Sequence, residues 1–238
     1  GHGGKDPGAS GTGRDSITEK DVVLDIALML GNYLTSEFDD VEVIYTRKSD
    51  DFVKLSERTR IANEAKADLF ISLHCDAFHD QSVHGSASYV MGMHKSESNL
   101  NVAIRENSSI LMENDYEFDY EGFDPSEPES YIALSMYQSN YISNSVLLAS
   151  KIQNQFKTKV QRKDRGVKQA GFMVISRATM PSVLIEAGFL TNKVEEDYLI
   201  SEKGKNEVAL SIFEAFKDYK KEIDSLSKER INNLIKKD

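Results

Sequence analysis

Apolar residues along the chain recur at two spacings, near 3.6 and near 2, and the switches between them predict the elements. Val22, Val23, Ile26, Ala27 and Leu30 share one face of a helix predicted over residues 17–34. Residues 41–45 alternate and read as a short strand; residues 55–66 read as a second helix, with Ser56 near its start. Residues 69–73 are a compact apolar run of the kind that forms a buried strand, and 86–91 are another strand. A polar helix is predicted over 96–113, then a long helical pattern over 129–160. The β pattern resumes at 172–175 and 182–186, Asn192 is placed to cap a short helix, and 203–219 read as a further helix. The tail from 220 to 238 is charged, with Ile223, Leu226, Ile231 and Leu234 weakly amphipathic, and reads as a final helix or a linker. Helices alternating with strands predict an α/β fold, a sheet with helices on its faces.

Composition changes this picture little. The 238 residues are 39% hydrophobic and 29% charged, the mix of a folded globular chain long enough to bury a sizeable core. A net charge of −10 argues against non-specific nucleic-acid binding through phosphates and against adhesion to anionic lipid. No apolar run approaches a membrane span. Cys75 is the single cysteine, so no intrachain disulfide is available. No signal peptide is visible, but the chain opens at Gly1 without Met, inside a loop, so sequence upstream is expected.

Four residues stand out as chemistry. His2 lies in a Gly-His-Gly-Gly loop, where small neighbours keep an imidazole accessible. Glu19 has two readings: with Ser16 it forms a capping box at a helix N-terminus, or it offers a carboxylate to a metal from the first helical turn. His74 closes the apolar run 69–73, and ligands of open α/β sheets gather outside the carboxyl ends of strands. Glu186 closes the run 183–185; a carboxylate there is costly to desolvate unless paired, with Arg177 or Arg47 as partner, or tuned for general-base work. His79, His84 and His94 have no comparable placement. Two histidines and a glutamate suit Zn²⁺ with an open position for water, and a second glutamate would take the water's proton. The long-range spacing is unlike the short helical His-Glu-x-x-His motif.

Five segments carry a resemblance: GHGGKDPGASG, ITEKDVVLDIA, YTRKSDDFVKLSERTRIANEAKADLFISLHCDA, NLNVAIREN and MPSVLIEAGFLTN. Together they resemble the zinc-dependent N-acetylmuramoyl-L-alanine amidases of the cell-wall type 3 family, over nearly all the chain to about residue 220. The resemblance implies one mixed central sheet of about six strands flanked by helices. It implies zinc ligands at His2, Glu19 and His74, a catalytic glutamate at Glu186, and hydrolysis of the amide between muramic acid and L-alanine of peptidoglycan. Two departures accompany it. The family's first strand, which would run into Gly1, is not in the sequence. Asp76 also stands where the family usually has Asn; it is expected either to orient a metal-bound imidazole or to be neutral.

The expected organisation is a catalytic domain over 1–220, with a helical insertion at about 94–160, and a helical tail or linker over 221–238. In some members of the family an inserted helix puts a glutamate on the zinc and must move before substrate enters. Here NLNVAIREN takes that place. Glu106 is the candidate inhibitory fourth ligand, with Glu97 and Glu113 in reserve. A protein activator acting on this helix is expected, and the acidic, aromatic stretch 115–129 is a candidate surface for it. The expected partner is peptidoglycan, in the periplasm or cell envelope, and the expected state a monomer. The competing readings are a zinc carboxypeptidase acting on the stem peptide and a non-catalytic cell-wall-binding module.

Overall fold

The computed structural model describes residues 1–12, 17–114, 116–134 and 140–235. In chain order these form helices α1 (Glu19–Glu37) and α2 (Leu55–Glu64), strands β1 (Phe70–Asp76) and β2 (Ser86–Met91), and helix α3 (Glu97–Asn107) running into a 3₁₀ turn (Ser108–Met112). Then come α4 (Tyr116–Asp119), α5 (Ser130–Leu134), α6 (Ile142–Thr158), β3 (Asp164–Ala170), α7 (Met173–Ser176), β4 (Ser182–Phe189), α8 (Lys193–Ile200) and α9 (Glu202–Ile235).

The sheet is mixed, with order β1-β4-β2-β3. β1 pairs parallel with β4 and β2 parallel with β3, while β2 and β4 are antiparallel. Alternation along each strand sends side chains to two cores. On one face Leu73, Val90, Val183 and Ile185 pack against Val23 and Ile26 of α1, Ile152 and Phe156 of α6, and Val208 and Ile212 of α9. On the other face Phe70, Tyr89 and Leu184 pack against Ala62 of α2, Val102 and Ala103 of α3, and Val174 and Ile175 of α7.

Four strands are present among the described residues, not about six. Residues 41–45 join no ladder. Val41 and Val43 pack against the first core instead, and residues 41–45 and β1 line a common cleft of about 780 Å³. Residues 172–175, read as a strand, fall in a turn and the short helix α7, every one of them buried. A brief apolar run without alternation fits a buried turn of helix as well as a strand. The strand lies earlier, in Asp164–Ala170, whose polar composition hid it. In the tail, α9 is one helix of 34 residues that runs through residue 220 to Ile235. No helix among the described residues is long and apolar enough to cross a membrane.

Candidate metal centre and catalytic carboxylate

Strand register builds half of the site. In the parallel pair β1–β4, His74 lies opposite Glu186, and Ser72 opposite Leu184. Both polar residues close apolar strands at the carboxyl end and project from the face opposite Leu73 and Ile185. The N-terminal loop supplies the next piece. His2 has φ 51°, a left-handed conformation that costs a non-glycine residue energy and persists only where the surroundings impose it. Those surroundings are visible. Buried Arg58 of α2 donates to the His2 carbonyl at 2.6 Å, and Arg47 donates to the Gly1 carbonyl at 3.0 Å. Gly8, at φ +66°, lets the loop close: a Cβ there would fall 2.6 Å from both the Glu19 carboxylate and the His2 ring. The Thr-Arg and Leu-x-x-Arg segments therefore set the loop that carries His2.

Glu19 is the first residue of α1, with Thr18 as N-cap. Ser16, the other half of the capping box read from the sequence, lies outside the described residues. The Glu19 carboxylate accepts from the Cys75 and Ala9 backbone N–H groups, each at 2.9 Å, and turns toward the histidines. Helix α3 supplies the fourth group. Its buried face reads Asn99, Val102, Ala103, Glu106 and Asn107, so Glu106 occupies a position where the stripe calls for an apolar side chain. Asn107 anchors the end of α3 by donating to the Gly171 carbonyl and accepting from the Met173 N–H, both at 2.8 Å.

His2, Glu19, His74 and Glu106, all buried, each offer one ligand atom within 4.8 Å of the other three. Nε2 of His2 is 3.1 Å from oxygens of both Glu19 and Glu106. Nδ1 of His74 is 3.0 Å from Glu19 and 2.8 Å from Glu106, without hydrogen-bond geometry to either. An imidazole nitrogen aimed among carboxylate oxygens, with two such carboxylates buried together, is a donor set that could hold a cation. The atoms turned away from the centre are held too. His2 Nδ1 pairs with Asp6 at 2.8 Å, and Ser72 Oγ stands 3.0 Å from His74 Nε2. Arg105 Nε and Nη2 donate to the second oxygen of Glu106 at 3.1 and 3.0 Å. Such outer partners fix ligand orientation. Electrostatics agree. Burial alone would lower the His2 pKa, but the Glu19 charge and the Asp6 and Glu106 contacts raise it well above its usual value. Burial opposes ionisation of Glu106, yet His74 and Arg105 hold it well below the carboxylate range.

Glu186 is different. It is 1% exposed, and neither carboxylate oxygen has a hydrogen-bond partner among the described residues. Burial, then the nearby charges of Asp76 and Glu106, push its pKa well above the usual range. The salt bridges weighed from the sequence are not formed: Arg177 pairs with Glu121, and Arg47 serves the N-terminal loop. The nearest cation is Arg105, 3.8 Å away. Arg105 also meets Asp76 at 2.8 Å and donates to the Ala77 carbonyl. Asp76 thus binds an arginine and orients no imidazole; burial raises its pKa to about 6, with Arg105 opposing. Nothing in the sequence reading singled out Arg105. The available signal was its place beside Glu106 on the predicted helix.

The reserve candidates sit elsewhere. Glu97 is exposed in the first turn of α3. Glu113 is buried but accepts from the Leu55 N–H and the Tyr120 hydroxyl, tying α2 to the insertion. His79, His84 and His94 stay outside the cluster. Within the acidic stretch, Tyr120 is buried and Phe118 is 87% exposed, while Asp115 is outside the described residues.

Comparison with known proteins agrees with this layout. The family model described as N-acetylmuramoyl-L-alanine amidase matches residues 1–218. The chain is 33% identical over 224 residues to the amidase AmiC of Escherichia coli, covering 92% of this chain and 51% of that protein. It is 31% identical over 219 residues to AmiA of the same species, covering 92% of this chain and 73% of AmiA. The chain thus spans about half the length of AmiC. Among solved structures, an N-acetylmuramoyl-L-alanine amidase from Clostridium difficile superposes with a TM-score of 0.68 at 26% identity, covering 92% of each chain.

Proposed function

The chain belongs to the N-acetylmuramoyl-L-alanine amidase family, and from that premise we propose that it is a zinc-dependent hydrolase of the amide joining N-acetylmuramic acid to L-alanine in peptidoglycan. The observation that carries this reading is the convergence of His2, Glu19, His74 and Glu106 beside a buried Glu186 whose oxygens accept no hydrogen bond among the described residues. Two imidazoles and two carboxylates match the nitrogen and oxygen ligands that zinc takes. His2, Glu19 and His74 would hold the ion, with Asp6, Ser72 and the Cys75 N–H fixing their orientation. When bound, zinc supplies a Lewis acid for the scissile carbonyl and acidifies water.

Glu186 then works as a proton carrier. It accepts the proton of the attacking water as oxygen bonds to the lactyl carbonyl carbon. It returns that proton to the alanine nitrogen as the carbon–nitrogen bond breaks. A carboxylate with raised proton affinity and no competing donor suits both transfers. Water exclusion by the walls of the site strengthens these charge interactions.

We read the described conformation as a closed one. Glu106 would give the ion a fourth ligand, and Arg105 on the same turn pairs with Asp76 and approaches Glu186. We read α3 as an autoinhibitory element that a protein activator displaces, shifting the equilibrium toward an open state. Peptidoglycan as substrate puts the protein at work in the periplasm or cell envelope.

Two measurements test the function together. Elemental analysis of the purified chain should find one zinc per molecule. Digestion of purified sacculi, with the site opened by Glu106→Ala, should release stem peptides that begin with L-alanine, read by mass spectrometry. Release of terminal D-alanine alone would move the assignment to a carboxypeptidase, and a metal-free chain that zinc cannot activate would end the enzyme reading.

A further inference from the structure

Beyond Glu186, as seen from the metal ligands, the same sheet face carries two cations that the reaction has not used. Lys168 lies on β3 opposite Tyr89 of β2, with its ammonium 5.5 Å from the Tyr89 ring centre. Tyr89 in turn lies opposite Leu184, one step along the face from Glu186. Lys168 is half-buried and forms no ion pair within 4.0 Å among the described residues. Arg165 belongs to the same patch. The register between β2 and β3 shifts between Ser86 and Ser88, a bulge across Arg165 and Gly166. Bulges re-aim side chains. The Arg165 guanidinium stands over the Phe189 ring at 5.2 Å, donates to the His84 carbonyl, and has no carboxylate partner there either. Burial, then the charge of Arg165, lowers the Lys168 pKa, while Asp76 and Glu186 act on it only from beyond contact. A partly desolvated ammonium beside a second cation, with no carboxylate in contact among the described residues, is costly, and that cost is relieved by a bound carboxylate.

We infer that Lys168, assisted by Arg165, binds the free α-carboxylate of the acidic second residue of the stem peptide. This rests on the amidase reading and adds its specificity. Strand order supplies the direction. His74 is on β1, Glu186 on β4, and β2 and β3 follow. Glu186 delivers its proton to the leaving nitrogen, so the peptide extends from Glu186 away from the metal ligands, across β2 toward β3. The backbone advances about 3.5 Å per residue, which puts the second residue's carboxylate about 7 Å from the scissile nitrogen. β3 lies two strand spacings of about 4.8 Å from β4, and a lysine stem bridges the difference.

The test uses the full zinc-loaded chain carrying Glu106→Ala, with and without Lys168→Met. The substrates are N-acetylmuramoyl-L-alanyl-D-glutamate and its α-amide, the D-isoglutamine form. The corresponding free dipeptides are titrated by calorimetry. With Lys168 present, the acid should be preferred in both kcat/KM and Kd by roughly 10- to 100-fold, the worth of a charge-assisted hydrogen bond. Lys168→Met should erase that preference through KM, leave the amide within about twofold, and be rescued by Lys168→Arg; Arg165→Met should act in the same direction, more weakly. Equal loss on acid and amide, or an unchanged preference, overturns the subsite. A parent that discriminates the dipeptides but cleaves neither substrate keeps the subsite and fails the amidase reading. A parent that cleaves both without discrimination keeps the amidase and fails the subsite, and one that does neither fails both.

Discussion

The two faces of the sheet are closed in different ways. On one, α1, α6 and α9 cover β1 and β4 with a large apolar surface: Ile26, Ile152, Phe156, Ile185 and Ile212 are all fully buried. On the other, α3 begins the same way with Val102 and Ala103, but one turn later presents Arg105 and Glu106 to His2, His74 and Asp76. Apolar closure is non-directional and indifferent to metal. Ionic closure depends on which charges share the site, and it is reversible by anything that offers those charges a better partner. The first face is a foundation; the second, on the proposed reading, is a lid.

Five experiments bear on that contrast. Glu186→Ala should have the largest effect, lowering turnover in the open enzyme by roughly 10²- to 10⁴-fold while zinc content and fold stay intact. Loss of zinc in this variant would contradict the division between ligands and proton carrier. Phe156→Ala, on the foundation, should cost about 3–5 kcal/mol of stability in urea unfolding, with zinc binding by the folded fraction unchanged. A change in zinc affinity without a change in stability would break the contrast outright.

Glu106→Ala should raise basal amidase activity, by roughly 5- to 150-fold if the lid follows ordinary coupling energies. A folded variant with unchanged or lower activity leaves the lid without support. Arg105→Ala should raise activity less, because Glu106, Val102 and the Asn107 anchors all remain; each charge-assisted contact is worth about 1.5–3 kcal/mol before resolvation of the partners. An Arg105→Ala effect larger than that of Glu106→Ala would make the arginine, not the glutamate, the main latch. As a check on both, His74→Ala should lose zinc, measured by elemental analysis, whatever the state of α3.

Much of the fold was legible because periodicity and strand ends are local properties. The helix seeded by Val22, Val23 and Ile26, the strands ending at His74 and Glu186, and the Asn192 cap all follow from neighbours in sequence; Asn192 accepts from the Val194 and Glu195 N–H groups. Where the local signal was ambiguous, tertiary packing decided. Phe172–Ile175 became a buried turn and short helix, residues 41–45 joined no ladder, and the polar run Asp164–Ala170 became an edge strand because its backbone pairs with β2. His74 and Glu186 could be chosen from the sequence as ionisable groups at the ends of apolar runs. The register that sets them side by side could not.

By itself, then, the sequence determined the α/β alternation, the strand-end placement of His74 and Glu186, and, through its motifs, the family. Tertiary structure decided what Glu19 and Arg105 do. Glu19 carried two roles of equal local merit, and only the approach of the Cys75 N–H and the two imidazoles turns its carboxylate inward. Arg105 looked like any exposed helix charge, and only the packing of α3 over the strand ends brings it to Asp76 and toward Glu186. The physical reason is the same for both. Helix and strand propensities act over a few residues, whereas a buried charge is placed by partners that meet it only after the chain has folded.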